Sequence, residues 1–377
     1  MSQLPETVLQ FGSGKFLRAF ADLFIHQANL EGQEVGRVVV VQSTGDERAR
    51  LLNRQGGRYH VLVRGLAGGN TVDRTEPAAS ISRALVAARQ WPEVLAVARS
   101  PDLRYVISNT AEVGYTLDPQ DRPGDAPPRS FPGKLLLLLK ERHEAGRPGV
   151  TLLPCELFEG NADRLLGIVL DLARSWDLSE VLAAWIRTEC RWRNTLVDRI
   201  VGVAPAGHPL LEADALLTVA EPFALWAVEA GEGKGGLFRH AAIQETADVR
   251  PFFLRKVRIL NAAHTALLCK ALPRGLRTVR EAVLDPEIAD WLTRLLFDEI
   301  IPTVRGRVEA AEEFARQTLE RFRNPFLEHK LSDIAAYHDA KVQIRLVPTR
   351  REFVEKFGRT PPLLDEAIAA ALPAPGG

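Results

Sequence analysis

The chain opens on a short apolar run, Thr7 to Phe11, followed by a glycine-containing turn and a segment from Phe16 to about Leu30 in which apolar residues recur at helical spacing. Arg37 to Val41 is again continuously apolar. Runs of this kind are strands covered on both faces, and a strand, a helix and a second strand make the βαβ unit of a parallel sheet. Tyr59 to Arg64, Tyr105 to Ser108 and Val150 to Pro154 add further buried strands, and Ala84 to Arg99 reads as a helix. Between Asp118 and Pro132 lies a loop of Pro, Gly and Asp, of a length that often carries function. Helical spacing resumes at Lys134 to His143 and Asn161 to Arg174. From Pro251 strand signals become scarce, and Phe252 to Leu272, Pro286 to Phe297 and Val304 to Arg323 predict helices.

The pattern predicts an α/β protein with an N-terminal Rossmann-like, dinucleotide-binding domain built on a parallel-rich sheet over residues 1–235. A mainly α-helical substrate domain follows over residues 236–377. The boundary is expected in the flexible segment Gly231 to Gly236, and the tail after Leu372 is expected to fray. Two domains also suit 377 residues, because single cores stop growing near about 250–300 residues.

Composition narrows the function. Lys plus Arg equals Asp plus Glu at 48 each, so the chain offers no net field for nucleic acid or an anionic membrane. No apolar run approaches the length of a spanning helix, and MSQLPETVLQ has neither the basic nor the apolar region of a signal peptide. These features predict a cytoplasmic protein, a monomer or small homo-oligomer with a small-molecule substrate. Cys155, Cys190 and Cys269 are widely spaced and odd in number, which signals neither a disulfide framework nor a metal site.

Three places carry candidate chemistry. VLQFGSGKFLRAF sets Gly12 and Gly14 between a strand and a helix, where backbone N–H groups can cradle a pyrophosphate, although Leu17 stands where a third glycine would complete the fingerprint. The second strand ends at Gln42, where an acidic residue would hold the ribose diol of NAD. Asp46 and Glu47 follow and can serve instead, while Arg48 and Arg50 can meet a 2′-phosphate, so the pattern leaves NAD against NADP open. In RKVRILNAAHT, Lys256 and His264 are eight residues apart and share roughly one helix face, with Asn261 between them in height and a little to the side. A lysine whose pKa is lowered by burial or by neighbours such as Arg255 and Arg258 can move the hydroxyl proton of a ketone and alcohol pair, and an amide can hold the developing oxyanion.

FGSGKFLRAF, VISNTAEVGY, PCELFEGNADRL, NTLVDRI, EPFALWAVE, KVRILNAAHTAL and RFRNPFLEHKL occur in this order between Phe11 and Leu331. In this the chain resembles the polyol-specific long-chain (mannitol) dehydrogenase family, and within it the tagaturonate reductase (altronate oxidoreductase) branch. EPFALWAVE is closer to the mannitol or fructuronate branches, and the chain ends sooner than uronate-reducing relatives, a length nearer to mannitol-1-phosphate dehydrogenases. The resemblance implies an NAD(P)-dependent reductase of a keto-sugar acid such as D-tagaturonate. It further implies Lys256 as acid/base, Asn261 and Asn161 as oxyanion donors, and His264 as a substrate binder, although Ala162 replaces the glycine that usually follows the second asparagine. Cofactor contacts carry over to Phe11, Gly12, Gly14, Phe16, Arg18, Asn109, Thr110 and Glu112. Asp198 and Arg199 are expected to frame the site, and Arg255, Arg258, Lys341 and Arg345 are candidate partners for a substrate carboxylate. No metal is implied. A catalytically degenerate dinucleotide-binding protein is the alternative from another class.

Overall fold

A computed structural model describes residues 3–110, 112–231 and 237–372, the side chain of Glu112 excepted. The expected boundary at 235/236 and the tail beyond Leu372 lie outside the described residues. The chain divides into two compact units. The first comprises Met1–Leu62, Thr75–Val219 and Ala224–Val249; the second comprises Val63–Arg74, Ala220–Phe223 and Arg250–Gly377.

The first unit is built on six parallel strands: β1 (Glu6–Phe11), β2 (Arg37–Gln42), β3 (Ile81–Val86), β4 (Tyr105–Ser108), β5 (Thr151–Pro154) and β6 (Arg191–Trp192). Their spatial order, β3-β2-β1-β4-β5-β6, is that of a doubly wound dinucleotide-binding sheet. The order reverses between β1 and β4, and such sheets bind ligands beyond the carboxyl ends of the strands at that point. Val38, Val39, Val40 and Val41 are all fully buried, as strands between two helix layers require. Helices Trp91–Arg99, Phe131–Glu144 and Asn161–Ser175 pack on the sheet, and the leucines at 135, 136, 138 and 139 join Leu9, Val106 and Leu152 in one core.

Three predicted elements differ. Residues Ala84 to Val86 belong to β3, and the helix begins only at Trp91, with Pro92 in its first turn; pairing with β2 over Val38 to Gln42 outweighs the helical propensity of an alanine-rich stretch. Tyr59–Ala67 is a strand, but of a separate sheet, where it pairs with Asn70–Ala78. The helix expected from Phe16 to Leu30 is broken into Lys15–Arg18 and Ala21–Leu30 by Phe20, whose φ of −133° and ψ of −102° are not helical. The break is held by donors that reach the exposed carbonyls: the Tyr59 hydroxyl donates to Arg18 O at 2.8 Å and the Arg199 guanidinium to Ala19 O at 2.7 Å.

The second unit is helical through its long C-terminal part. Ala262–Ala271 is its centre and is touched by Val279–Leu284, Pro286–Arg294, Leu331–Ala335, His338–Arg345 and Pro362–Ala371. Ala262, Ala263, Ala266 and Ala271 are fully buried, and their small side chains let neighbouring helices approach closely. The helix expected at Val304 to Arg323 starts later, at Ala311. Among the described residues four further helices, Leu331–Ala335, His338–Arg345, Val347–Phe357 and Pro362–Ala371, follow the last predicted one. Among the described residues no helix is long and apolar enough to cross a membrane.

Candidate active site

In the first unit, the chain leaves β1 through Gly12, whose φ of +128° an L side chain rarely adopts. A Cβ there would meet Asn109 O at 2.9 Å and Leu17 Cδ1 at 3.2 Å, so the turn lies directly against the strand-end residue of β4. Beside Gly14 a Cβ would meet nothing within 4 Å, which leaves its backbone open to a large group. Arg18, 5% exposed, points inward and donates from Nη1 to Ser13 O at 2.8 Å, bracing the turn from beneath. Phe11 is buried against Phe131 (ring centroids 5.2 Å apart), so only its backbone faces the turn, whereas half-buried Phe16 stacks on Phe20 at 4.9 Å.

At the end of β2, Gln42 uses both ends of its amide locally: Nε2 donates to Thr44 O at 2.8 Å, and Oε1 accepts from Ala49 N at 2.7 Å at the start of helix Glu47–Arg54. Gln42 therefore shapes this loop. The acidic group that follows it is Asp46, paired with Arg50 and Arg89 at 2.9 Å each.

Beyond β4 and β5 the organising residue is Glu156, which the sequence pattern did not single out. Its carboxylate is 3% exposed and accepts from Thr110 N (2.8 Å), Thr110 Oγ1 (3.0 Å), Ser108 Oγ (2.9 Å) and Tyr115 OH (3.4 Å). Burial raises its pKa, and the hydrogen bonds from Thr110 and Ser108 pull the other way. This clamp fixes the loop of Asn109 and Thr110, and Asn109 Nδ2 donates to Cys155 O at 3.0 Å. Gly114 is required in the same loop because a Cβ there would lie 2.0 Å from Thr110 Oγ1. The Glu112 side chain lies outside the described residues. Asn161, fully buried, donates from Nδ2 to Pro154 O (2.9 Å) and Glu156 O (3.0 Å), and its Oδ1 accepts from Thr195 N at 2.9 Å. Its amide is thus engaged in holding the strand ends together. Asp198 is buried at the end of strand Thr195–Asp198, opposite Leu225.

In the second unit, Lys256, Asn261 and His264 lie on one continuous helical segment, but not on a plain α-helix. Lys256–Asn261 is a π turn inserted between helices Arg250–Arg255 and Ala262–Ala271. In an α-helix residues five apart are separated by about 140° around the axis, so Asn261 would point well away from Lys256. A π turn bonds residue i to i+5 and brings such residues into line one above the other; π turns of this kind recur at functional sites. A second π turn, Leu295–Ile300, packs against the first.

His264 is buried, its ring 4.1 Å from that of Phe322 and 4.7 Å from that of His329, and its Nε2 has no hydrogen-bond partner among the described residues. Burial first, then His329, Arg321 and Arg345, hold its pKa well below the usual imidazole range. His264 is therefore neutral in the fold and protonated in the unfolded chain at acid pH. Its contribution to stability is present above the ordinary value of 6.5 and is lost as pH falls below it, and denaturant titrations through that range should show the loss.

Among the candidate cations, Arg258 is spent on Thr349 Oγ1 at 2.6 Å and Glu352 at 2.8 Å, which ties down helix Val347–Phe357. Arg255 lies over Phe314 at 4.6 Å, and Lys341 donates to Ile334 O at 2.8 Å. Arg345 donates to Thr265 Oγ1 at 3.0 Å, on the residue after His264.

Residues 6–239 match the mannitol dehydrogenase Rossmann domain and residues 248–373 the mannitol dehydrogenase C-terminal domain. An altronate oxidoreductase of Bacillus subtilis (strain 168) is 38% identical over 98% of this chain and 80% of its own, and one of Halalkalibacterium halodurans is 38% identical over 98% and 75%. The fold is also that of a Pseudomonas fluorescens mannitol 2-dehydrogenase solved as a ternary complex with NAD and D-mannitol, with a TM-score of 0.83 at 22% identity over 98% of this chain and 79% of that one. The chain belongs to the mannitol dehydrogenase family.

Proposed function

We propose that this protein, a dehydrogenase of polyols or sugar acids, interconverts D-tagaturonate and D-altronate with NAD. The observation that carries the reading is the π turn, which aligns Lys256 with Asn261 one turn before the buried, unpartnered Nε2 of His264. The names of the relatives that run along nearly the whole chain support altronate as the substrate.

The residues present suit a dinucleotide. Gly12 lets the backbone turn sharply after β1, and the open space beside Gly14 suits a pyrophosphate against backbone N–H groups. Asp46, on the loop that follows β2, supplies a carboxylate for the ribose diol in place of the acidic residue that Gln42 replaces. When bound, NADH supplies the hydride.

Lys256 gives a proton to the ketone oxygen as that hydride adds to carbon, and takes it back in the reverse direction. Asn261 donates its amide N–H to the oxygen as charge develops. His264, neutral by virtue of its burial, offers Nε2 to a neighbouring substrate hydroxyl. Arg345, which donates to Thr265 Oγ1 on the residue after His264, takes the substrate carboxylate. Asn161 acts one step back, keeping the Glu156 clamp and Thr195 in register.

Substitution of Gly12 by alanine forces a side chain into a φ of +128° against Asn109 O. With about 1–3 kcal/mol of strain, NADH binding should weaken by about tenfold or more, read by fluorescence titration. Unchanged affinity would remove Gly12 from the cradle. The function itself is tested by following NADH and NADPH oxidation with D-tagaturonate, D-fructuronate, D-fructose and D-fructose 6-phosphate. Turnover of D-tagaturonate with NADH is expected. Turnover of D-fructose 6-phosphate alone would assign a mannitol-1-phosphate dehydrogenase activity instead.

A further inference from the structure

Beneath the glycine turn of the first unit lies a buried polar cluster that the reaction above does not use. Gln10, on β1, is fully buried, and its Nε2 donates both to Gly12 O at 3.0 Å and to Asp22 Oδ2 at 3.2 Å. Asp22 is fully buried in helix Ala21–Leu30. Gln10 Oε1 and Asp22 Oδ1 have no hydrogen-bond partner among the described residues, nor has Nε2 of His26 four residues further along that helix. A buried carboxylate with a single donor is poorly compensated, whereas a carboxylic acid in the same place can donate its proton to the unpartnered Gln10 Oε1 while accepting from Gln10 Nε2.

We propose that Asp22 is a positioning residue for the dinucleotide: as a neutral acid it locks Gln10, and through it the Gly12 carbonyl, in the form of the turn that receives the pyrophosphate. The inference rests on the reading of Gly12 to Gly14 as the dinucleotide cradle. Burial pushes the Asp22 carboxyl up to about 7, against weaker opposing effects from Gln10 and Arg18. The titratable groups facing it are Arg18 on the preceding turn, Tyr59 on strand Tyr59–Ala67, Cys155 after β5 and His26 on its own helix. Tyr59 and Cys155 are both buried with raised pKa values and stay neutral, Arg18 stays charged, and burial holds the His26 imidazole below its ordinary 6.5, so Asp22 is the group among them that charges as pH rises through about 7.

Two consequences follow from the sign of the shift. The folded protein binds the Asp22 proton more tightly than the unfolded chain, so its stability falls as pH rises from the ordinary carboxyl value of 3.8 through about 7. A bound pyrophosphate raises the cost of charging Asp22 further, so dinucleotide affinity falls over the alkaline limb.

The experiment is NADH titration by fluorescence, with thermal unfolding of the ligand-free protein, at about pH 6 and about pH 8.5 for the wild type and Asp22→Asn. The asparagine amide reproduces the neutral acid and cannot ionise. Wild-type NADH affinity is expected to weaken by about threefold to tenfold between the two pH values, the change that a further shift of about half to one unit in the Asp22 pKa produces. Asp22→Asn should bind equally at both and melt higher than the wild type at the alkaline one. An identical pH profile in wild type and Asp22→Asn overturns the proposal, and so does a lower melting point for Asp22→Asn under alkaline conditions. Gln10→Met, which removes the bridge at similar volume, should bind NADH more weakly at both pH values; wild-type affinity in this variant would equally overturn it. Absence of NADH binding by the wild type at either pH would instead refute the cradle itself.

Discussion

Replacing Lys256 by alanine should lower kcat for D-tagaturonate reduction by about 10²–10⁴-fold while leaving NADH affinity unchanged, because general acid and base catalysis by one positioned group accounts for a factor of that size. The loss should appear equally in kcat and kcat/KM, the mark of an interaction made in the transition state alone. Added small alkylamines should restore part of the rate, since they can supply the missing proton. A variant with normal kcat and a raised KM would make Lys256 a binding residue and move the proton transfer elsewhere.

A second large effect is expected in the second unit, where Arg321 and Glu221 form a buried ion pair. Nε and Nη2 of Arg321 donate to the two Glu221 oxygens at 2.9 and 2.7 Å, the side chains are 3% and 1% exposed, and the guanidinium lies over Phe223 at 4.3 Å. Removing Arg321 takes both of these charge-assisted hydrogen bonds from the buried Glu221 carboxylate, so Arg321→Met should cost about 3–5 kcal/mol and lower Tm by roughly 6–20 °C. The double variant Arg321→Met with Glu221→Gln should recover much of that loss. Since Arg321 is one of the charges that hold His264 neutral, the single variant should also shift the pH dependence of KM. A single variant as stable as the wild type would show that the pair contributes nothing to the fold.

The parts of the fold that the sequence disclosed are those whose cause is local. Val38 to Val41 can only be a strand covered on both faces, and Gly12 and Gly14 after Phe11 mark the turn from strand to helix. The parts it concealed have distant causes. Arg258 resembles a substrate cation until Glu352, 94 residues on, is seen to hold it. The break at Phe20 depends on Tyr59 and Arg199, and β3 is a strand because β2 lies beside it. In the π turn, Lys256 to Asn261 carries no Gly or Pro, so the sequence reads as plain helix, whose spacing sets Asn261 about 140° from Lys256 and cannot reveal the inserted residue that aligns them. Glu156 did leave a signal: a carboxylate set among Pro154, Cys155, Leu157 and Phe158 directly after a buried strand must find donors.

The most direct test of the account runs the reaction in reverse. The purified protein is incubated with NAD and D-altronate, and the product is identified by NMR, with D-mannitol and D-mannitol 1-phosphate as parallel substrates. The account predicts D-tagaturonate formed in step with NADH, and little or no oxidation of the other two. Oxidation of D-mannitol 1-phosphate or D-mannitol in preference to D-altronate would contradict it.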